Sequence, residues 1–86
     1  MKLIFEKSFE KSLCKLQPAD VDRVERAISL FQQNPFHPHL RNHRLKGKLQ
    51  GLHSISAGFD LRIVYREEGD HVIVFLLRVG THNQVY

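Results

Sequence analysis

FDLRIVYREEGDHVIVFLLRVGTHNQVY, from Phe59 to Tyr86, is the stretch whose reading decides the fold. Its first half alternates apolar and polar residues, its second half is almost wholly apolar, and Glu68, Gly69 and Asp70 lie between them. That is the pattern of two strands joined by a hairpin turn. The alternation predicts a strand over Asp60 to Glu67 with Leu61, Ile63 and Tyr65 facing a core. Asp60, Arg62 and Arg66 then fall on the opposite face with Val64, because successive side chains alternate across a sheet. The run Val72 to Val79 reads as a central strand packed on both faces. From Gly80 a short tail carries Thr81, His82, Asn83, Gln84 and Tyr86. Asp60, Arg62, His82 and Tyr86 together offer a carboxylate, a guanidinium, an imidazole and a phenol, a set able to handle a phosphodiester.

Working outward, Leu52 to Ala57 alternates well enough for another strand. Pro35 to Gly51 has no sustained periodicity and reads as an irregular crossover anchored by Leu40 and Leu45. Upstream, Lys2 to Glu6 suggests a first strand. A helix follows, with Ser8 as its N-cap, Phe9, Leu13 and Leu16 at helical spacing, and its end at Gln17. A second helix opens with Pro18 and carries Val21, Val24, Ala27, Ile28 and Phe31 as an apolar stripe, stopped by Asn34 and Pro35. The order predicts an α+β fold, a single domain over residues 1–86 in which a helical hairpin packs on a meander of strands.

Eighty-six residues bury only about 60–65% of the unfolded surface, so the core is small. The formal charge is +4. Residues 1–34 hold six Lys/Arg against five Asp/Glu, residues 59–86 hold three against four, and residues 35–58 hold four against none. The excess therefore sits in one segment: Arg41, Arg44, Lys46 and Lys48, interspersed with His37, His39, His43 and His53. Such a segment suits a polyanion-facing surface, or a solvated basic loop. No apolar run approaches the ~20 residues of a membrane span and no export signal precedes Glu6, so the expected place is the cytoplasm, without membrane contact. Cys14 is the only cysteine and reads as a small core residue. The His37-x-His39 pair sits beside prolines with no further ligands at workable spacing, so neither a metal nor a cofactor is expected. Phosphate-loop and dinucleotide fingerprints are absent.

RNA cleavage without a metal needs a base for the ribose 2′-OH, a cation on the phosphorane and an acid for the leaving oxygen. His82 suits acid or base work, and Arg62 suits a bidentate phosphate clamp. Asp60 can orient a histidine or take the proton, and Tyr86 can stack on a base or bond a phosphate oxygen. Each also has an ordinary structural reading: a surface Asp60–Arg62 ion pair, a histidine ending a strand, a packing tyrosine.

With these residues the chain resembles the RelE/ParE superfamily of bacterial type II toxins, most of all its RelE- and YafQ-type mRNA interferase branch. HRLKGKLQG at His43 to Gly51, FDLRIVYR at Phe59 to Arg66 and GTHNQVY at Gly80 to Tyr86 carry the likeness. The resemblance implies a RelE-like fold, with the helical hairpin on a curved antiparallel sheet. It further implies a toxin that cuts mRNA in the ribosomal A site without metal and is held inactive by a cognate antitoxin in a hetero-oligomer. Arg62 matches the strand arginine of RelE toxins, and Asp60 and His82 match the aspartate and histidine of YafQ-type enzymes. His43 matches an earlier YafQ-type histidine, and Tyr86 a terminal aromatic. Ser56 stands where YafQ-type toxins have a further histidine, and His53 and Ile55 stand where RelE toxins place lysines. Arg41, Arg44, Lys46, Lys48 and His53 are the expected RNA contacts. The alternative is a ParE-type toxin that inhibits DNA gyrase by protein contact without catalysis.

Overall fold

The structure is a computed structural model that describes all 86 residues. The elements are β1 (Lys2–Phe5), α1 (Lys7–Cys14), α2 (Pro18–Gln33), β2 (His43–Arg44), β3 (His53–Ser56), β4 (Leu61–Glu68), β5 (Ile73–Thr81) and α3 (His82–Val85). Single-turn 3-10 helices occupy Pro38–Leu40 and Gly47–Leu49. One sheet runs in the order β1-β5-β4-β3-β2. Its β2 to β5 pairs are antiparallel as expected, and β1 joins β5 in parallel, which makes the sheet mixed. No helix is long and apolar enough to cross a membrane.

The parallel pair explains the placement of α1. β1 covers β5 only from Ile73 to Leu76, and beyond Leu76 the exposed strand edge needs other partners. α1 provides them: Ser8 Oγ donates to the Leu77 carbonyl, and Ser12 Oγ accepts from the Val79 N–H at 3.0 Å. Ser8 is thus inside the helix rather than its cap. Glu6 takes the N-cap position with no side-chain cap bond, and the helix closes at Cys14 instead of Gln17. Cys14 is exposed, contrary to its expected core role, because it lies one position off the Phe9, Leu13 and Leu16 stripe that turns inward.

α2 begins with Pro18 at its first turn, where a missing N–H costs nothing, and presents Val24, Ala27 and Phe31 to the sheet. These, with Phe9 and Leu40, pack on Ile55, Leu61, Ile63, Tyr65, Val74, Leu76 and Val79. Val74 and Leu76 share one parity and Val79 the other. All three face the core because a bulge at Val64/Tyr65 leaves Leu77 as an extra residue in β5. The same bulge turns Arg78 and Gly80 to the outer face.

Two segments are more ordered than their composition suggests. Part of the crossover forms β2, and Asn42 ties it down, its Nδ2 donating to the Pro35 carbonyl at 3.0 Å while its Oδ1 accepts from Tyr65. The tail after Gly80 forms α3, with Gln84 Oε1 accepting from the Thr81 N–H at 2.8 Å. α3 folds back on the outer face, so that Val64, Ser54 and Val85 are all buried. Gly80 permits that approach, since a Cβ there would lie 2.7 Å from Gln84 Oε1.

Candidate functional site

Strand register sets rows of side chains across the outer face. His43 of β2 stands beside Ser54, Ser54 beside Val64, and Val64 beside Arg78 of β5. One pleat along, Ser56 stands beside Arg62 and Arg62 beside Gly80. Three strand spacings put His43 and Arg78 about 14 Å apart at the backbone.

α3 lies over the middle of these rows. The Tyr86 hydroxyl hydrogen-bonds Ser54 Oγ, and the His82 ring stands edge-on to the Tyr86 ring at 4.5 Å. Ser54 is fully buried, so its hydroxyl needs this partner. The bond holds α3 down and brings His82 to the face that carries His43, Arg62 and Arg78.

His43 Nδ1 lies 2.9 Å from the Arg41 carbonyl. A carbonyl only accepts, so Nδ1 carries the proton and Nε2 of the neutral ring keeps its lone pair. Arg62 donates through Nη1 to the carbonyls of Phe59 and Leu61, each at 3.0 Å, and more weakly to Ser56 Oγ at 3.4 Å. Its other nitrogens have no partner in the chain. Arg62 borders a cleft of about 340 Å³ lined also by His39, Arg41, Ser56 and Phe59, so Arg41 and Arg62 share one cationic opening.

Other expected site residues fall elsewhere. Asp60 does not ride on the sheet with Arg62: β4 starts at Leu61, and Asp60 sits exposed in a turn where Phe59 takes a left-handed φ of 50°. Strand alternation therefore says nothing about where its carboxylate points. His53 lies on the helix-facing side, its ring stacked on Tyr65 at 5.0 Å and 17°, with Nε2 4.0 Å from Glu67 Oε1. Desolvation holds its pKa below the usual 6.5, opposed by the Glu67 carboxylate. Its ring packs on Tyr65 rather than standing free on the surface. Arg44, Lys46 and His53 together line a cleft of about 590 Å³ beside Glu67, distinct from the Arg41–Arg62 opening, and Lys48 is exposed on the Gly47–Leu49 turn.

Behind His53 is a network that periodicity did not reveal. His71 Nδ1 lies 3.2 Å from Glu67 Oε2, and His71 Nε2 lies 3.2 Å from the Tyr65 hydroxyl. Tyr65 donates to Asn42 Oδ1 at 3.0 Å, and burial pushes its pKa up to about 12 against the opposing effect of that bond. His71, at φ 70°, and Asp70, at φ 54°, hold left-handed conformations in the β4–β5 turn that these contacts stabilise.

Sequence reasoning also missed Arg78 and Ser54. Arg78 is the lone charge in the apolar run Val72 to Val79, which was the available signal; its outward direction follows only from the bulge. Its Nε is buried and has no partner. No group of three or more His, Cys, Asp or Glu side chains is arranged to hold a metal ion.

Residues 1–86 match the sequence profile of a family described as "Bacterial toxin of type II toxin-antitoxin system, YafQ". YafQ from Escherichia coli BL21(DE3) superposes with a TM-score of 0.83 at 17% identity, over 99% of this chain and 97% of that one. Protein HP0894 of Helicobacter pylori superposes at 0.72 with 27% identity, over 100% and 99%. A chain of the toxin–antitoxin complex RelBE2 of Mycobacterium tuberculosis superposes at 0.75 with 26% identity, over 94% and 96%. No curated protein sequence is significantly similar to the chain.

Proposed function

The chain belongs to the YafQ family of bacterial type II toxin–antitoxin toxins, and from that premise we propose that it is a metal-independent endoribonuclease that cuts mRNA on the ribosome. The observation that supports this reading is that strand register sets His43, Arg62 and Arg78 in neighbouring rows of the sheet while the Tyr86–Ser54 bond folds His82 over those rows.

His43 Nε2, the lone-pair nitrogen of the neutral tautomer that the Arg41 carbonyl selects, takes the proton from the ribose 2′-OH. The 2′-oxygen bonds to phosphorus while the P–O5′ bond breaks, leaving a 2′,3′-cyclic phosphate and a 5′-OH. His82 gives its proton to the departing 5′-oxygen. Arg62 and Arg78 stabilise the charge on the phosphorane, and Tyr86 both holds α3 and offers its ring to a base. Asp60, exposed beside Arg62, has no assigned proton to move. Arg41, Arg44, Lys46 and Lys48 meet RNA phosphates in a salt-sensitive way. A cognate antitoxin, present in a relative's complex, silences the toxin by covering this cationic face.

The test supplies translating ribosomes with mRNA and compares wild type with His43→Ala, Arg62→Ala and His82→Ala. Cleavage ending in a cyclic phosphate, lost at least 100-fold in each variant, is the expected outcome. Undiminished cleavage in all three refutes the assignment, and arrest of supercoiling with intact mRNA supports the gyrase-directed alternative.

A further inference from the structure

The cleft between α1 and α3 carries a second cluster of cations, of which the cleavage scheme uses only Arg78. It measures about 480 Å³ and is lined by Ser8, Lys11, Ser12, Lys15, Arg78 and Gln84, with apolar walls. Its polar inventory is one-sided. The Ser8 hydroxyl donates to the Leu77 carbonyl, and Ser12 Oγ is taken by the Phe9 carbonyl and the Val79 N–H. Gln84 Oε1 accepts from Thr81. What is left uncommitted is the ammonium groups of Lys11 and Lys15, the Arg78 guanidinium and the Gln84 amide N–H: donors only, three of them charged. Neither lysine nor Arg78 has an ion pair in the chain. No carboxylate lines the cleft.

Lys7 and Lys11 of α1 and Lys15 at its C-cap recur every four residues, which stacks like charges along one side. That spacing opposes helix stability and is left uncompensated. The partnerless buried Nε of Arg78 at the edge of the same cleft adds a donor that needs an acceptor.

We propose that the α1–α3 cleft, through Lys11 and Lys15 beside Arg78, binds a backbone phosphate of the RNA strand that flanks the cleaved bond. This rests on the endoribonuclease reading. An anion with several acceptor oxygens matches a donor-only cleft, and Arg78 places the cleft at one end of the His43–Ser54–Val64–Arg78 row. A strand bound there crosses α3 to reach His43 at the other end. Lys11 and Lys15 bind and do not touch the reacting atoms.

The experiment measures cleavage of ribosome-bound mRNA against salt for wild type, Lys11→Gln/Lys15→Gln and Lys11→Arg/Lys15→Arg. Melting curves confirm that all three fold. In the glutamine pair kcat/KM falls roughly three- to tenfold. The slope of log(kcat/KM) against log[salt] becomes shallower by about 0.7 for the phosphate released. The arginine pair restores both. If the glutamine pair matches wild type in rate and slope, the cleft proposal falls while the endoribonuclease reading stands. If wild type does not cleave at all, the underlying reading falls. If the glutamine pair cleaves normally but loses affinity for the antitoxin, the cleft receives an acidic protein segment and the proposal is overturned.

Discussion

Tyr65 joins three parts of the molecule through one oxygen, and replacing it with phenylalanine isolates that oxygen. The ring packs edge-on to Phe31 at 4.9 Å and flat on His53 at 5.0 Å, contacts that phenylalanine keeps. The hydroxyl donates to Asn42 Oδ1 at 3.0 Å and faces His71 Nε2 at 3.2 Å. Asn42 cannot turn to compensate, because its Nδ2 is engaged by Pro35. Tyr65→Phe therefore leaves an acceptor on β2's approach and a ring nitrogen in the strained β4–β5 turn without partners, at a cost of about 1–3 kcal/mol. For a domain this size that lowers Tm by roughly 5–15 °C. A second consequence follows from the pKa of about 12. Below pH 10 both states keep the phenolic proton and the bond's contribution is complete. Between pH 10 and about 12 the unfolded chain loses its proton first, so stability falls with rising pH by about 2–3 kcal/mol. Urea unfolding of both proteins at pH 7 to 11.5 measures each arm. A cost below about 0.5 kcal/mol at pH 7, or a wild-type-minus-variant difference that stays flat above pH 10, refutes the reasoning.

The lowered pKa of His53 works at the opposite end of the scale. The unfolded imidazole takes up a proton below pH 6.5 that the folded one resists, so stability declines as pH falls through 6.5, and urea midpoints for His53→Phe should show a flatter acid limb. Gly80→Ala pushes a Cβ to 2.7 Å from Gln84 Oε1, displacing the cap of α3. A loss of about 0.5–2 kcal/mol in a thermal melt and a matching loss of RNA cleavage are expected. Ser54→Ala removes the partner of the Tyr86 hydroxyl, and its effect on cleavage should exceed its effect on Tm, with Tyr86→Phe behaving alike. Cys14→Ser, at an exposed position, should leave stability within about 0.5 kcal/mol of wild type.

Much of the scaffold was legible because burial writes itself into period. The α2 stripe Val24, Ala27, Phe31 and the inward set Leu61, Ile63, Tyr65 all appear in the core at the expected spacing. Arg62 was readable for the same reason, since it sits between two inward residues of a regular strand. Ser8 was misread because capping and sheet-edge bonding ask for the same hydroxyl, and the choice depends on how far β1 extends along β5. Asp60 was placed on the sheet by extending alternation one residue past the point where Phe59 takes a left-handed turn. Two residues of β2 are too few to carry a period, so its pairing of His43 with Ser54 had no local trace.

What the sequence determined by itself was the set of elements and the chemical inventory: amphipathic helices, apolar strands, a carboxylate-free basic segment, and a tail rich in side chains able to handle phosphate. Those properties are local, and short-range sterics and hydrophobic period are sufficient to state them. Which face each functional group occupies was decided only by the tertiary structure. A single extra residue at Leu77 reverses the parity of β5 and sends Arg78 outward, and one hydrogen bond from Tyr86 to Ser54, residues 32 apart, folds His82 back over the sheet. Both depend on partners distant in the chain, and a site assembled from such pairings exists only once the strands have met.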